Sequence, residues 1–297
     1  MISIEKKEIE ALELIGQGAS GSVYRYDEGR VLKLYKKAWS KEMVSSAFNI
    51  AQSVHLGGVT TAKPYEQVIS AGQHGIIFEL LEGESLVKYI GGDIDKRYEA
   101  AEKMGSLLKS VHALAADTGV FPPLKSMFGG ILGTVSEFFK ADQINDFVSF
   151  VHNIPGSGCV LHGDFHENNI MVCNDKFYLI DLDGMCTGSP IFDLMQTYCT
   201  YRTPIPKEYR QYMNLTDEAL DEFLLRFLGA YFKSADRDKL MHYDRIFTKA
   251  SSFMRFFAPL YMRGESDDEL RRYVDLNIDS IYALMDEIKG DFKEIAW

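Results

Sequence analysis

Along RVLKLY, Val31, Lys33 and Tyr35 alternate with Leu32 and Leu34, the period of two that predicts a half-buried strand. EIEALELIG and SVYRYD read as strands ahead of it, with DEGR as the turn between SVYRYD and RVLKLY. A helix is predicted over about 41–56, followed by the strands AKPYEQVIS and HGIIFELLE. From roughly residue 95 the period changes. YEAAEKMGSLLKSVHALAA, VSEFFKADQINDFVSFVHNI, TDEALDEFLLRFLGAYF and DELRRYVDLNIDSIYALMDEI all carry helix-spaced apolar residues, and only IMVCNDKFYLIDLDG interrupts them with β-like character. The pattern predicts an α+β chain: a small β-rich lobe over 1–81 and a larger, mostly helical lobe over 82–297, joined near Leu81–Gly83.

Composition narrows the class. The opening MISIEKKEIE is charged from its fifth residue and lacks the apolar core of a secretory leader. No stretch reaches about 18 uninterrupted apolar residues, and even SSFMRFFAPLYMRGES carries Arg255 and Arg263. A soluble, cytoplasmic protein is expected, with no membrane partner. Cys159, Cys173, Cys186 and Cys199 lie far apart without any CxxC pair, so they read as reduced core thiols rather than as disulfides or zinc ligands. The net charge of −11 is unevenly spread: residues 1–81 hold nine basic and nine acidic residues, whereas 82–297 hold 23 and 34. Residues 141–201 contain eight acids and one base, Lys176. Such a field disfavours nucleic acid and attracts cations, whether metal or substrate.

Gly16-Gln17-Gly18-Ala19-Ser20-Gly21, extended by Val23, has the form GxGxxGxV. Alone it is a weak signal, and an ordinary hairpin turn is the plainer reading. A dinucleotide fingerprint needs a helix directly after the glycines, but SVYRYD-EGR-VLKLYK reads as strand, turn and strand. A glycine loop between two antiparallel strands resembles the phosphate cover of kinases, where absent side chains let backbone N–H groups, here through Ser20, approach phosphates. Lys33, twelve residues after Gly21 on the next strand, sits where such a lobe places its phosphate-holding lysine. Val23 and Val31 would then sandwich an adenine.

The stretch VLHGDFHENNIMV is followed by FYLIDLDG. Asp164 and Asn169, five residues apart, reproduce the D-x-x-x-x-N spacing of a kinase catalytic loop. The aspartate of such a loop faces an acceptor hydroxyl, while the asparagine carbonyl reaches Mg²⁺. Asp181, twelve residues after Asn169 at the end of an apolar strand, offers a hard carboxylate oxygen for the same ion.

These residues resemble the aminoglycoside phosphotransferase family, which includes choline and related kinases: HGDFHENNI matches its HGDxHxxN box and LIDLDG its IDxD-type metal segment. The likeness runs from Gly16 to Asp193 and implies a bilobal protein-kinase-like fold, transferring the γ-phosphate of ATP to a small hydroxyl acceptor with Mg²⁺. ATP and GTP are not distinguished. The resemblance implies Asp164 as the catalytic base, Asn169 and Asp181 as metal ligands with Asp183 a second ligand or a tuning charge, and His162 and His166 as loop scaffold. Asp193, in GSPIFDL, would brace the catalytic loop, and the backbone of Glu79 and Leu81 would meet the adenine edge. It also implies a helix glutamate pairing Lys33; the family spacing falls on Asn49, which has no charge, and Glu42, two turns earlier on the same helical face, is the alternative.

Three rival classes stand beside this. Only eleven residues separate Asp181 from Asp193 and no APE follows, against a protein kinase. A nucleotide-binding pseudokinase is motivated by Asn49 and opposed by intact Asp164, Asn169 and Asp181. A different transferase on the same fold is the third. The acidic field suits a cationic acceptor, such as an amino alcohol or amino sugar. Phe253, Phe256, Phe257 and Tyr261, with Tyr198 and Tyr201, are either the wall of an ammonium site or a helical core, and their spacing favours the core.

Overall fold

The computed structural model describes every residue except Met1, Ser157, 205–209, Tyr212 and Arg263, and the side chains of Ile2, Lys6 and Lys7. Its alternating strand, β4 (Arg30–Tyr35), lies inside a six-stranded sheet of order β1-β5-β6-β4-β3-β2. The neighbours are β1 (Ile2–Ser3), β2 (Leu14–Gln17), β3 (Gly21–Arg25), β5 (Pro64–Ser70) and β6 (Gln73–Glu79). Period two gives β4 two different faces. Leu32 and Leu34 bury against Ile4, Ile9, Val68 and Ile77, while Tyr35 buries against Val44, Ala47 and Ile76, beneath helix α2 (Lys41–Leu56). Helix α2 spans the predicted residues and begins at Ser40, whose hydroxyl accepts from the Met43 N–H at 3.3 Å.

Two segments differ from the pattern reading. EIEALELIG is not one strand: Lys6–Glu10 is helical (α1) and only Leu14–Gln17 is extended. The Glu8 carboxylate accepts from the Glu5 N–H at 2.8 Å, and Ile9 and Leu12, three apart, face the sheet. VSEFFKADQINDFVSFVHNI divides into a 3₁₀ turn, Ser136–Phe138, and α6 (Ala141–His152), because the Gln143 side chain closes on the Lys140 N–H at 2.8 Å and starts a new helix.

The chain packs as two units. The first comprises Met1–Leu86 together with Asn168–Asp183, so it extends past the joint drawn from the sequence and takes in the β-like island. That island is the hairpin β9 (Ile170–Cys173) and β10 (Lys176–Leu179), with β7 (Glu84–Ser85) added to β9. The Thr61 hydroxyl donates to the Leu179 carbonyl at 2.7 Å, and the Leu179 N–H donates to the Thr60 carbonyl at 2.9 Å. A side chain at Gly83 would collide with the Val172 carbonyl, so a glycine is required there.

The second unit, Val87–Glu167 with Gly184–Trp297, is helical apart from the ribbon of β8 (Cys159–Leu161) and β11 (Cys186–Gly188). Helix α4 (Ile94–His112) packs on α8 (Asp217–Phe232); a side chain at Gly105 would strike the Phe227 carbonyl, which explains the glycine inside a helix. Phe253, Phe256 and Phe257 on α9 (Arg237–Met262) are buried among Phe128, Phe139 and Phe147, with Phe253 and Phe257 ring centroids 5.3 Å apart. They form core, as do Tyr198 and Tyr201 on α7 (Pro190–Arg202); of the six aromatics only Tyr261 is exposed. The four cysteines are free thiols, and burial raises each above the ordinary thiol range, so none is activated. No helix among the described residues is long and apolar enough to cross a membrane.

Candidate active site

The glycine motif forms the hairpin between β2 and β3, with the Gly18 N–H donating to the Gly21 carbonyl at 2.9 Å. No helix follows it, in agreement with the strand–turn–strand reading. The glycines have different causes. A Cβ on Gly21 would collide with the Leu34 carbonyl across the ladder, whereas one on Gly18 would meet open space and one on Gly16 only Val23 at 3.7 Å. Gly21 is required by the sheet; Gly18 is exposed on the tip, and Gly16 is half-buried in β2 opposite Val23.

Val23 is paired with Lys33 across β3 and β4, and Val31 lies two residues before Lys33, so the three share one sheet face. The Lys33 ammonium lies 2.9 Å from Asp181 Oδ1 and 2.6 Å from Asp183 Oδ2. Burial pulls its pKa down, but the two carboxylates more than offset this and leave it raised. The Tyr35 hydroxyl donates to Asp183 Oδ1 at 2.7 Å; burial and then the Asp183 charge push the phenol far up, keeping it a proton donor. Asp181 adopts a left-handed backbone (φ 57°), which aspartate tolerates better than most residues, and Leu182–Gly184 forms a 3₁₀ turn. That turn directs both carboxylates to one point. The Asp181 side chain is 48% exposed and the Asp183 side chain 14%.

These two all-oxygen donors, already converging on one cationic group, fit a Mg²⁺ ion by chemistry and placement. Asn169 is buried at the end of the 3₁₀ turn Glu167–Asn169, and its carbonyl accepts from the Ile180 N–H at 2.9 Å, which ties the start of the hairpin to the metal segment.

The expected helix partners of Lys33 lie elsewhere. Glu42 and Asn49 are exposed on α2 and neither bonds to the ammonium; Glu42 instead interacts with its own helix N-terminus and with Ser40, which lowers its pKa. The Glu79 N–H donates to the Lys63 carbonyl at 2.9 Å and its carboxylate accepts from the Lys63 N–H, so that N–H is already engaged; Leu81 is half-buried just beyond β6.

In the second unit, Asp193 is fully buried on the first turn of α7. Its carboxylate accepts the N–H of His162 at 2.7 Å and of Gly163 at 2.8 Å, which ties the backbone of this loop to α7. Gly163 has φ 83°, and a Cβ there would stand 2.7 Å from the Gly184 carbonyl, so only glycine fits between His162 and Asp164. The His162 ring is buried edge-on against Phe165, with Nδ1 facing the Asp164 N–H at 3.3 Å. The Asp164 side chain is 55% exposed, and His166 Nε2 lies 3.3 Å from its Oδ2. The Thr197 hydroxyl donates to the Phe165 carbonyl at 3.1 Å. The loop is thus held by its backbone while the aspartate points outward.

Two participants escaped the sequence reading. Tyr35 carried a usable signal, since it shares the face of Lys33 two residues on. His112 carried little: it sits on the apolar side of α4, where a histidine is usually a satisfied core group. Its Nε2 lies 3.0 Å from Asp193 Oδ2 and its Nδ1 2.7 Å from the Tyr231 hydroxyl.

A sequence model of the phosphotransferase enzyme family matches residues 11–129 and 135–243. A comparison with curated proteins gives no match. Among solved structures, the ADP-bound aminoglycoside phosphotransferase APH(2'')-Ib is similar over 97% of this chain and 99% of its own, at 14% identity and TM-score 0.55. A choline/ethanolamine kinase family protein from Mesorhizobium loti is similar over 96% and 92%, at 16% identity and TM-score 0.56. The amicoumacin kinase hAmiN, in complex with AMP-PNP, Ca²⁺ and Ami, is similar over 95% and 88%, at 16% identity and TM-score 0.57. At these identities the likeness is one of fold, and it is a protein-kinase-like one.

Proposed function

The chain belongs to the phosphotransferase enzyme family, and from that premise we propose that it transfers the γ-phosphate of ATP to a hydroxyl of a small cationic acceptor. The observation that supports this reading most directly is the convergence of Asp181 and Asp183 on the Lys33 ammonium, at 2.9 and 2.6 Å. Carboxylates and a lysine are the groups that a metal–triphosphate complex needs, and here the turn after β10 brings both carboxylates to the ammonium on β4.

In this mechanism the tip Gly16–Gly21 covers the phosphates with backbone N–H groups and Lys33 neutralises them. Val23 and Val31 flank the base, and the backbone at Leu81 meets its edge. Asp181 and Asn169 would hold Mg²⁺, with Asp183 beside them; the ion supplies charge neutralisation on the phosphate oxygens. Asp164 accepts a hydrogen bond from the acceptor hydroxyl and takes its proton as the new O–P bond forms. The bond to the bridging oxygen breaks, and ADP leaves with that electron pair. His162, His166 and Asp193 hold Asp164 in place.

The acidic balance after residue 81 and the eight acids in 141–201 favour a cationic acceptor over a sugar or an anion. The buried aromatics of α9 do not contribute to this reading. The test is a panel of amino alcohols, aminoglycosides, macrolides and neutral sugars, scored for acceptor-stimulated ADP release from Mg-ATP. Stimulation by a cationic alcohol supports the reading. Mg-ATP binding without turnover on any acceptor would favour the pseudokinase, which Asn49 motivates.

A further inference from the structure

Every lysine that grips phosphate in a kinase-like lobe needs a counter-charge that fixes its ammonium while leaving one side open. Here α2 does not provide it, since Glu42 and Asn49 are exposed and not bonded to Lys33. The nearest charges are Asp181 and Asp183, and the two are not equivalent. Asp181 is half exposed and uses one oxygen on Lys33; Asp183 is largely buried and has both oxygens engaged, Oδ2 by Lys33 at 2.6 Å and Oδ1 by the Tyr35 hydroxyl at 2.7 Å. Tyr35 itself cannot drift. It is fully buried against Val44, Ala47 and Ile76, its ring meets Trp39 at 4.7 Å between centroids, and its carbonyl accepts from the Gln73 amide at 2.9 Å. The ring also lies 5.0 Å from the Lys33 ammonium.

We propose that Tyr35 is a positioning residue: its hydroxyl fixes Asp183, and Asp183 replaces the missing helix acid as the fixed partner of Lys33. The inference rests on the nucleotide-binding reading above and assigns roles within it. Asp181, with its exposed oxygen, is left for the metal. The hydroxyl also shares the charge of Asp183, so the carboxylate competes less with an incoming phosphate for Lys33. The anchor is built from one strand, β4, and the turn Leu182–Gly184, and does not depend on where α2 lies.

The test is a double-mutant cycle on metal-free ADP affinity, measured in EDTA by displacement of a fluorescent nucleotide. Tyr35→Phe keeps the ring and removes only the hydroxyl. It should weaken ADP binding about ten-fold, the scale of a lost charge-assisted hydrogen bond. In an Asp183→Asn background the same change should alter affinity by less than about two-fold, because the partner charge is gone. With Mg-ATP, Tyr35→Phe should raise KM for the nucleotide and leave KM for the acceptor unchanged. An equal effect in both backgrounds, or no effect in either, would overturn the inference. Should Tyr35→Phe not fold, Asp183→Asn and Lys33→Met must be non-additive in ADP affinity; additive effects break the Asp183–Lys33 link. Failure of the wild-type chain to bind ADP at all would instead overturn the nucleotide reading, and this one with it.

Discussion

His112 Nε2 lies 3.0 Å from Asp193 Oδ2, on the carboxylate that also receives the backbone N–H groups of His162 and Gly163. A fully buried acid with three donors around it is stable only as a set. Through Nδ1 the imidazole continues to the Tyr231 hydroxyl, so α4, α7 and α8 all bear on the His162–Gly163 backbone. Asp193→Ala leaves the His162 and Gly163 N–H groups and His112 Nε2 without their carboxylate and should cost about 3–5 kcal/mol. Urea unfolding checks the figure. A loss under about 1 kcal/mol would mean that water replaces the carboxylate and that the loop does not depend on the brace.

Asp164 and Asp181 should separate by the step they serve. Asp164→Asn should abolish turnover and leave Mg-ATP affinity nearly intact, because the proposed mechanism turns the residue toward the acceptor and not the nucleotide. Asp181→Asn should weaken nucleotide binding in Mg²⁺ and have a much smaller effect in EDTA. Equilibrium binding of ATP to both variants, with and without the metal, makes the comparison; equal losses of nucleotide affinity would remove the assigned roles.

Glu42→Gln and Asn49→Ala should both retain wild-type nucleotide KM and kcat, since both side chains are exposed and uninvolved with Lys33. A drop of about ten-fold in kcat/KM for Glu42→Gln would show that α2 moves to bring the carboxylate onto Lys33 during turnover.

Phe253→Ala should lower stability by about 3–5 kcal/mol, the cost of a buried ring and the cavity that it leaves. Its effect on KM should be the same for every acceptor that is used, because Phe253 packs on Phe147, Phe150 and Phe257. Selective loss of cationic acceptors in the folded variant would return these rings to the acceptor site.

The strand over Arg30–Tyr35 and helix Lys41–Leu56 were legible because their apolar periods largely follow their burial, although Tyr35 is buried beside Leu34 and Met43 and Leu56 stay exposed. The HGD box and the DLD segment were legible because spacing along one loop survives folding. What stayed hidden was set by packing between distant segments. Lys33 and Asp183 are 150 residues apart, and nothing local to either tells that Tyr35 joins them. His112 likewise lies 81 residues from the acid it supports. Family spacing misled at Asn49, because it carries a partner's position in sequence but not the contact that the helix makes in this chain.

The acceptor's charge is open to a measurement that needs no structure. Residues 82–297 carry 34 acids against 23 bases, and Asp164 stands half exposed among them, so a cationic alcohol approaches down a favourable field. The Debye length shrinks from about 10 Å at 0.1 M salt to about 3 Å at 1 M, so that attraction is screened as salt is added. KM for a cationic acceptor should therefore rise several-fold between low and high salt. KM for a neutral sugar, if one is accepted, should stay within about two-fold over the same range. Saturating Mg-ATP throughout keeps metal and nucleotide binding from contributing, and a control in sodium and potassium chloride separates screening from ion-specific effects. If the preferred acceptor is neutral or anionic, and its KM is flat in salt, the acids serve only solubility and metal binding. The phosphotransferase reading would then stand with a different substrate class.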